Sequence, residues 1–131
     1  MSLLGTKAGD AYLLGQATGV TTDSHWVVHL STNARTPNYD DTPSNWTECT
    51  DSDYAAVNLL LSAASITPAD PFSYIQWAPV DFTFATTVTI TGYWISNPSN
   101  TVVIAAEEIS PVWSYGSAGG PGVLTPTIGL Q

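Results

Sequence analysis

Residues 39–56, YDDTPSNWTECTDSDYAA, gather five of the chain's eleven acidic side chains and its only cysteine between two tyrosines. Asp40, Asp41, Glu48, Asp51 and Asp53 are hard oxygen donors, the type that holds Ca2+ with about six to eight oxygens. A calcium loop places donors at alternating positions and turns on a glycine, whereas this segment has no glycine and only Asp51-Ser52-Asp53 has the alternation. The stretch is therefore expected to be a surface loop. Thr42 would cap a short turn opened by Pro43, and Trp46 and Tyr54 would anchor the ends in the core. No metal and no cofactor are assigned.

The other reactive groups are scattered. On a helix, His25 and His29 would share a face and could share a zinc ion. On a strand they lie about 13 Å apart at ~3.3 Å per residue, too far for one ion. The surrounding HWVVHLST has the alternation of a strand, so the expectation is two hydrogen-bonded histidines and no metal site. Glu107 and Glu108 are neighbours, and in a strand neighbours point to opposite faces. They cannot form the carboxylate pair of a retaining glycosidase, which needs a separation of about 5–5.5 Å. One of them is expected to face inward or toward a subunit partner, with Arg35 as its counter-ion. Cys49, alone, can form neither an intrachain disulfide nor a thiolate cage and is expected to be a buried small side chain. GSAGGPG lacks the lysine and helix of a phosphate loop, and no nucleophile elbow is present. Catalytic residues are therefore none, and the chain is not expected to be an enzyme.

Composition narrows the partners. The formal net charge is −9, and Lys7 and Arg35 are the only lysine and arginine. Two cations cannot neutralise a run of phosphates, so nucleic acid and anionic membrane surfaces are excluded as expected partners. Charged residues make up 10% of the chain against about 25% in ordinary domains. A surface clothed in Thr, Ser, Asn and Gly suits a β protein in contact with neighbours. The N-terminal MSLLGTKAGDAYLLG has no charged leader, and no run approaches the ~20 apolar residues of a membrane span. Synthesis and assembly in the cytoplasm are the expectation. Asn45-Trp46-Thr47 matches the glycosylation pattern but carries no weight without a secretion signal.

The elements that must position these groups are mostly strands. KAGDAYLLGQATG favours one short helix weakened by Gly9 and Gly15. HWVVHLST (25–32) sets Trp26, Val28 and Leu30 against His25, Val27 and His29. YAAVNLLLSA (54–63) aligns Val57, Leu59 and Leu61, although its composition also suits a helix. Residues 72–86 read as two strands broken at Pro79, with Val80, Phe82 and Phe84 on one face of the second. VTITGYWIS (88–96), the NPSN turn and TVVIAAEEIS (101–110) predict a hairpin. SYGSAGGPG (114–122) is expected to be the most flexible loop, and VLTPTIGLQ (123–131) a last strand demoted by Pro126. The expected fold is all-β: a single domain spanning residues 1–131, an antiparallel β-sandwich or barrel of about six to eight strands over residues 25–131. Residues 1–20 would form an N-terminal arm or short helix.

At NWTECTDSDYAAVNLLL, VDFTFATTVTITGYWIS, VVIAAEEIS and GVLTPTIGLQ the chain resembles small all-β virion proteins of tailed bacteriophages. The shared order is Trp46-Thr47-Glu48, Tyr54-Ala55, Phe82-Thr83, Gly92-Tyr93-Trp94 within residues 90–95, Ala106-Glu107 and Thr125-Pro126-Thr127, over roughly residues 45–131. Trp46 stands where the pattern has phenylalanine, and Asp53 where it has glycine. The resemblance implies a non-enzymatic virion component. The leading expectation is a capsid decoration (cement) protein on the outer head surface, a homotrimer bound non-covalently to the major capsid protein. The alternative is a tail- or fibre-associated protein that binds a host-surface glycan on stacked indoles. Trp113, Tyr115, Trp77 and Trp94 are the candidate contact rings, joined by Leu3, Leu4 and Leu130 at the termini. Their competing role is packing in a small β core.

Overall fold

The computed structural model describes residues 4–129, with Leu4 by its backbone alone. In chain order the strands and helix are β1 (Leu4–Gly5), α1 (Lys7–Thr18), β2 (His25–Ser31), β3 (Val57–Leu60), β4 (Ser65–Thr67), β5 (Tyr74–Gln76), β6 (Val80–Phe84), β7 (Val88–Ser96), β8 (Val103–Tyr115), β9 (Gly120–Leu124) and β10 (Thr127–Gly129). The architecture is all-β and sandwich-like with one N-terminal helix, as the pattern predicted. The strands are more numerous and shorter than expected. The run 54–63 is a four-residue strand followed by a 3-10 turn, Leu61–Ala63. The C-terminal strand is two strands in different sheets, and Pro126 lies between them. A residue without an N–H is well placed where one ladder ends and another begins.

The main sheet has the order β1-β8-β7-β2-β3, and its neighbouring pairs are antiparallel. Two smaller sheets, β10-β5-β4 and β6-β9, also pair antiparallel. Trp26, Val28 and Leu30 of β2 share one core with Leu59, Ile90, Tyr93 and Ile95, and with Trp77, Phe82, Phe84 and Ile128 from the smaller sheets and their flanks. Side chains of period two thus meet face to face, as in a sandwich.

Two departures from simple alternation shape the site. β2 is buried on both faces from Trp26 to Ser31: on the face that alternation left polar, Glu48 of the acidic stretch and Trp94, itself backed by Trp46, lie against His29. The β7–β8 hairpin also carries a bulge: Ile90 pairs with Trp113 and Gly92 with Glu108, so Thr91 alone stands against residues 109–112. The phase of β7 slips there. Ile90 faces the core before the bulge, and Tyr93 and Ile95 face it afterwards.

The helix forms for local reasons. The Thr6 hydroxyl accepts from Gly9 N–H at 2.9 Å and donates to the Val103 carbonyl, joining the N-cap to β8. Gly9 lies so close to the sheet that a Cβ there would come within 2.6 Å of the Ile104 carbonyl oxygen. The far end is tied to the start of β2: Tyr12 donates to Asp23 at 2.6 Å, and Gln16 exchanges hydrogen bonds with the Asp23 backbone at 3.0 and 3.1 Å.

Candidate functional site

The densest polar cluster grows from the middle of β2. The segment after Trp46 is not a free loop: Thr32 N–H donates to the Thr47 carbonyl and Cys49 N–H to the Leu30 carbonyl, both at 2.9 Å. This short ladder, with a bridge between Ser31 and Glu48, continues the β2 edge that β3 occupies at the strand's start. It delivers the Glu48 carboxylate to His29 Nδ1 at 2.8 Å. On the other side, Ser96 Oγ of β7 lies 2.9 Å from His29 Nε2. A carboxylate only accepts, so Nδ1 carries a proton toward Glu48, and Nε2 meets the Ser96 hydroxyl. The imidazole stacks on Trp94 at 4.7 Å, and Trp94 stacks on Trp46 at 5.9 Å. Tyr54 donates to the same Glu48 oxygen at 2.9 Å and accepts from Leu30 N–H at 3.0 Å. Burial is the main cause that pushes the Tyr54 phenol above its ordinary range.

Serine, histidine and carboxylate in that order form the arrangement that activates an acyl-transfer nucleophile. Access decides against that use. Ser96 has no exposed surface, and its hydroxyl also has the Asn97 carbonyl within 2.9 Å. A substrate carbonyl would have to come to about 3 Å of that oxygen. The geometry is that of a buried lock joining β2, β7 and the acidic stretch. In the sequence, His29, Glu48 and Ser96 are far apart, and only the fold assembles them.

The remaining acids of residues 39–56 diverge. Asp51 accepts from the N–H groups of Ala85 at 2.8 Å, Thr86 at 3.0 Å and Asp53 at 3.0 Å, and from the Thr86 hydroxyl at 2.9 Å. Those donors, the Ala85 N–H foremost, pull its carboxyl down to about 2. Asp41 is buried, pairs with Arg35 and accepts from Asn38 N–H at 2.9 Å. Asp40 and Asp53 are exposed. Among the described residues no group of three or more His, Cys, Asp and Glu is placed to share a metal ion. Burial is the main influence that raises the Cys49 thiol pKa.

Three expectations need correction. Arg35 meets Asp41, not Glu107 or Glu108; Glu107 accepts from the Tyr93 hydroxyl at 2.7 Å, and Glu108 is exposed. Trp77 and Trp94 are 5% and 1% exposed, so neither ring offers a contact surface. The Trp77 indole donates to the Leu60 carbonyl at 2.9 Å and packs on Trp26; Trp94 lies between His29 and Trp46. A small sandwich fills its interior with its largest rings first.

Trp113 and Tyr115 are half-buried and hold β9. A Cβ at Gly122 would sit 2.8 Å from both the Trp113 ring and the Tyr115 hydroxyl oxygen. The Tyr115 hydroxyl donates to the Pro121 carbonyl at 2.9 Å, and its ring packs on Phe84 at 4.7 Å. The loop expected to be most flexible is thus largely strand, turning at residues 116–119. Leu3, Leu130 and the Leu4 side chain lie outside the described residues. The apolar side chains that do reach solvent include Leu60, Ile66, Phe72, Val112 and Val123, none of which the sequence analysis singled out.

No family model matches this chain, and neither a curated protein nor a solved structure shows significant similarity to it.

Proposed function

We propose that this chain is a virion structural protein of a tailed bacteriophage, a decoration protein that binds the major capsid protein on the outside of the head as a homo-oligomer, a trimer in the leading form. The observation that favours an assembly role over catalysis is the closed lock at His29. The Ser96–His29–Glu48 constellation has catalytic order but an enclosed hydroxyl, while apolar side chains stand at the surface. The virion assignment itself rests on the ordered sequence resemblance. Contacts without charge let two surfaces pack without stripping water from ions, which suits a shell component present in many copies. The role is mechanical: many modest contacts raise the force needed to rupture the shell.

Purified protein added to heads that lack it supplies the test. Saturable binding at a fixed number of copies per head, with a raised rupture force or temperature, is expected. Heads that take up none would overturn the assignment. The glycan-binding alternative needs exposed stacked indoles, and the burial of Trp77 and Trp94 removes two of its rings.

A further inference from the structure

We propose that the pocket beside the β7–β8 bulge binds a neutral sugar ring, a single monosaccharide unit with its hydroxyls. The bulge builds the pocket. Gly92 pairs with Glu108 and Ile90 with Trp113, so the run 109–112 bows out of the ladder with Thr91 alone opposite it. Bulges re-aim side chains in this way and recur next to active sites. The result is a pocket of about 250 Å³ lined by residues that include Arg35, Thr91, Glu108, Ile109, Ser110 and Val112. Two of its polar groups are held from behind. Asp41, buried, takes the Nε and Nη2 groups of Arg35 and itself accepts from Asn38 N–H at 2.9 Å. The guanidinium is thereby fixed, and Nη1 is left for a ligand. The Thr91 hydroxyl donates to the Asn33 carbonyl at 2.7 Å, so toward the pocket it can only accept. Glu108 and Ser110 are exposed, and neither ion pair among the described residues includes Glu108.

Charge and size identify the ligand. Arg35 and Glu108 line the same pocket, and Asp41 already balances the guanidinium. An anion would meet Glu108 and a chain of net charge −9, and a cation would meet Arg35. An apolar ligand would strip water from these groups and return no hydrogen bond. A hydroxyl both donates and accepts: it donates to Glu108 and Thr91, accepts from Arg35, and does either with Ser110. The C–H face of a sugar ring is apolar and matches Ile109, which packs against the core, and Val112, 47% exposed. The volume falls below the ~300–1,000 Å³ of sites for drug-sized ligands, which sets the occupant at one ring. Hydrogen bonds and aliphatic side chains make this contact, so it does not need the buried indoles, and it stands whether or not the chain is part of a virion.

Proton–nitrogen NMR of the full chain, titrated with glucose, galactose, mannose and N-acetylglucosamine, tests this. At least one sugar is expected to give saturable shifts centred on residues 34–35, 91 and 108–112, with a dissociation constant on the order of 1 mM. Glu108→Ala, at an exposed position, is expected to fold as wild type and to weaken that sugar about tenfold or more, and Ser110→Ala to weaken it by less. Asp70→Ala, an acid outside the pocket, is expected to leave the affinity unchanged. The same sugar offered within a bacterial surface polysaccharide separates the sources. Tighter binding at the same residues assigns the pocket to a surface glycan and equal binding to the free sugar, and both outcomes support it. No saturable shift at these residues with any of the four sugars up to ~50 mM, well above a millimolar dissociation constant, would overturn the inference. So would an unchanged affinity in folded Glu108→Ala and Ser110→Ala variants. Acetate, methylammonium or N-methylacetamide saturating the same residues where the sugars do not would overturn it in favour of an ionic or a peptide ligand.

Discussion

Asp51 shows how an acid in a suggestive motif is used up by structure. Its two oxygens satisfy donors at the β6–β7 turn and at Asp53, which leaves it a depressed pKa rather than a vacant ligand position. The sign follows from linkage. With the folded pKa near 2 and the unfolded one near 3.9, the stabilisation is complete above about pH 5 and is lost as pH falls through the folded value. Asp51→Asn is expected to lower the denaturant midpoint at neutral pH, and the difference from wild type should shrink as pH approaches 2. A gap that persists undiminished at that pH would contradict the carboxylate's role. The tyrosines act in the opposite direction. Burial raises the phenols of Tyr54 and Tyr93, each of which also donates to a glutamate. Their neutral forms stabilise the fold below the ordinary phenol range, around pH 10, and that contribution fades as pH rises above it. Alkaline unfolding monitored by tyrosinate absorbance should show the two phenols ionising with the loss of structure, not before it. At the lock, His29→Ala takes a partner from Glu48 and one from Ser96 and empties space against Trp94. A loss of about 2–4 kcal/mol in unfolding free energy is expected from chemical denaturation.

At the scale of elements, the close fit of α1 to β8 sets helix propensity against packing. Gly9→Ala gains up to about 1 kcal/mol in intrinsic helix propensity. The new Cβ, however, would lie 2.6–2.8 Å from backbone atoms of Val103 and Ile104, which cannot rotate away. The clash should win, with a net destabilisation of about 1–3 kcal/mol by thermal or chemical melting. The grip of Trp113 on β9 gives a second test. Because the ring packs against the core and over Gly122, Trp113→Ala is expected to destabilise the isolated chain by about 2–3 kcal/mol. An unchanged melting midpoint would return that ring to the role of a surface contact. Much of this layer was legible beforehand. Alternation marked Trp26, Val28 and Leu30 and again Phe82 and Phe84 as core, and NPSN fixed the β7–β8 hairpin. The bulge opposite Thr91 was not legible, because a phase slip leaves no trace in a strand whose residues are β-formers on both sides of it. The burial of His29 was hidden for another reason. Alternation reports which face a residue occupies, and not whether a distant segment will cover that face.

At the scale of the molecule, low charge and β-branched content announced a β scaffold, and the shortage of reactive groups is met by a fold that encloses His29 and Ser96, with Glu48 half-buried beside them. What the sequence hid is which side chains reach solvent. Large rings drew attention because they can carry binding energy, yet the same size draws Trp77 and Trp94 inward, while Ile66 and Leu60 are stranded at sheet edges. Residues 54–80, which hold one acid, Asp70, and no cation, were the available signal for those exposed apolar side chains. The central proposal is that this chain assembles onto a phage head. Cryo-electron microscopy of intact virions carrying it tests that claim most directly. The account predicts density fitted by this sandwich at many symmetry-related positions on the outer shell. Density confined to a few copies at the tail, or its absence from the particle, would contradict it.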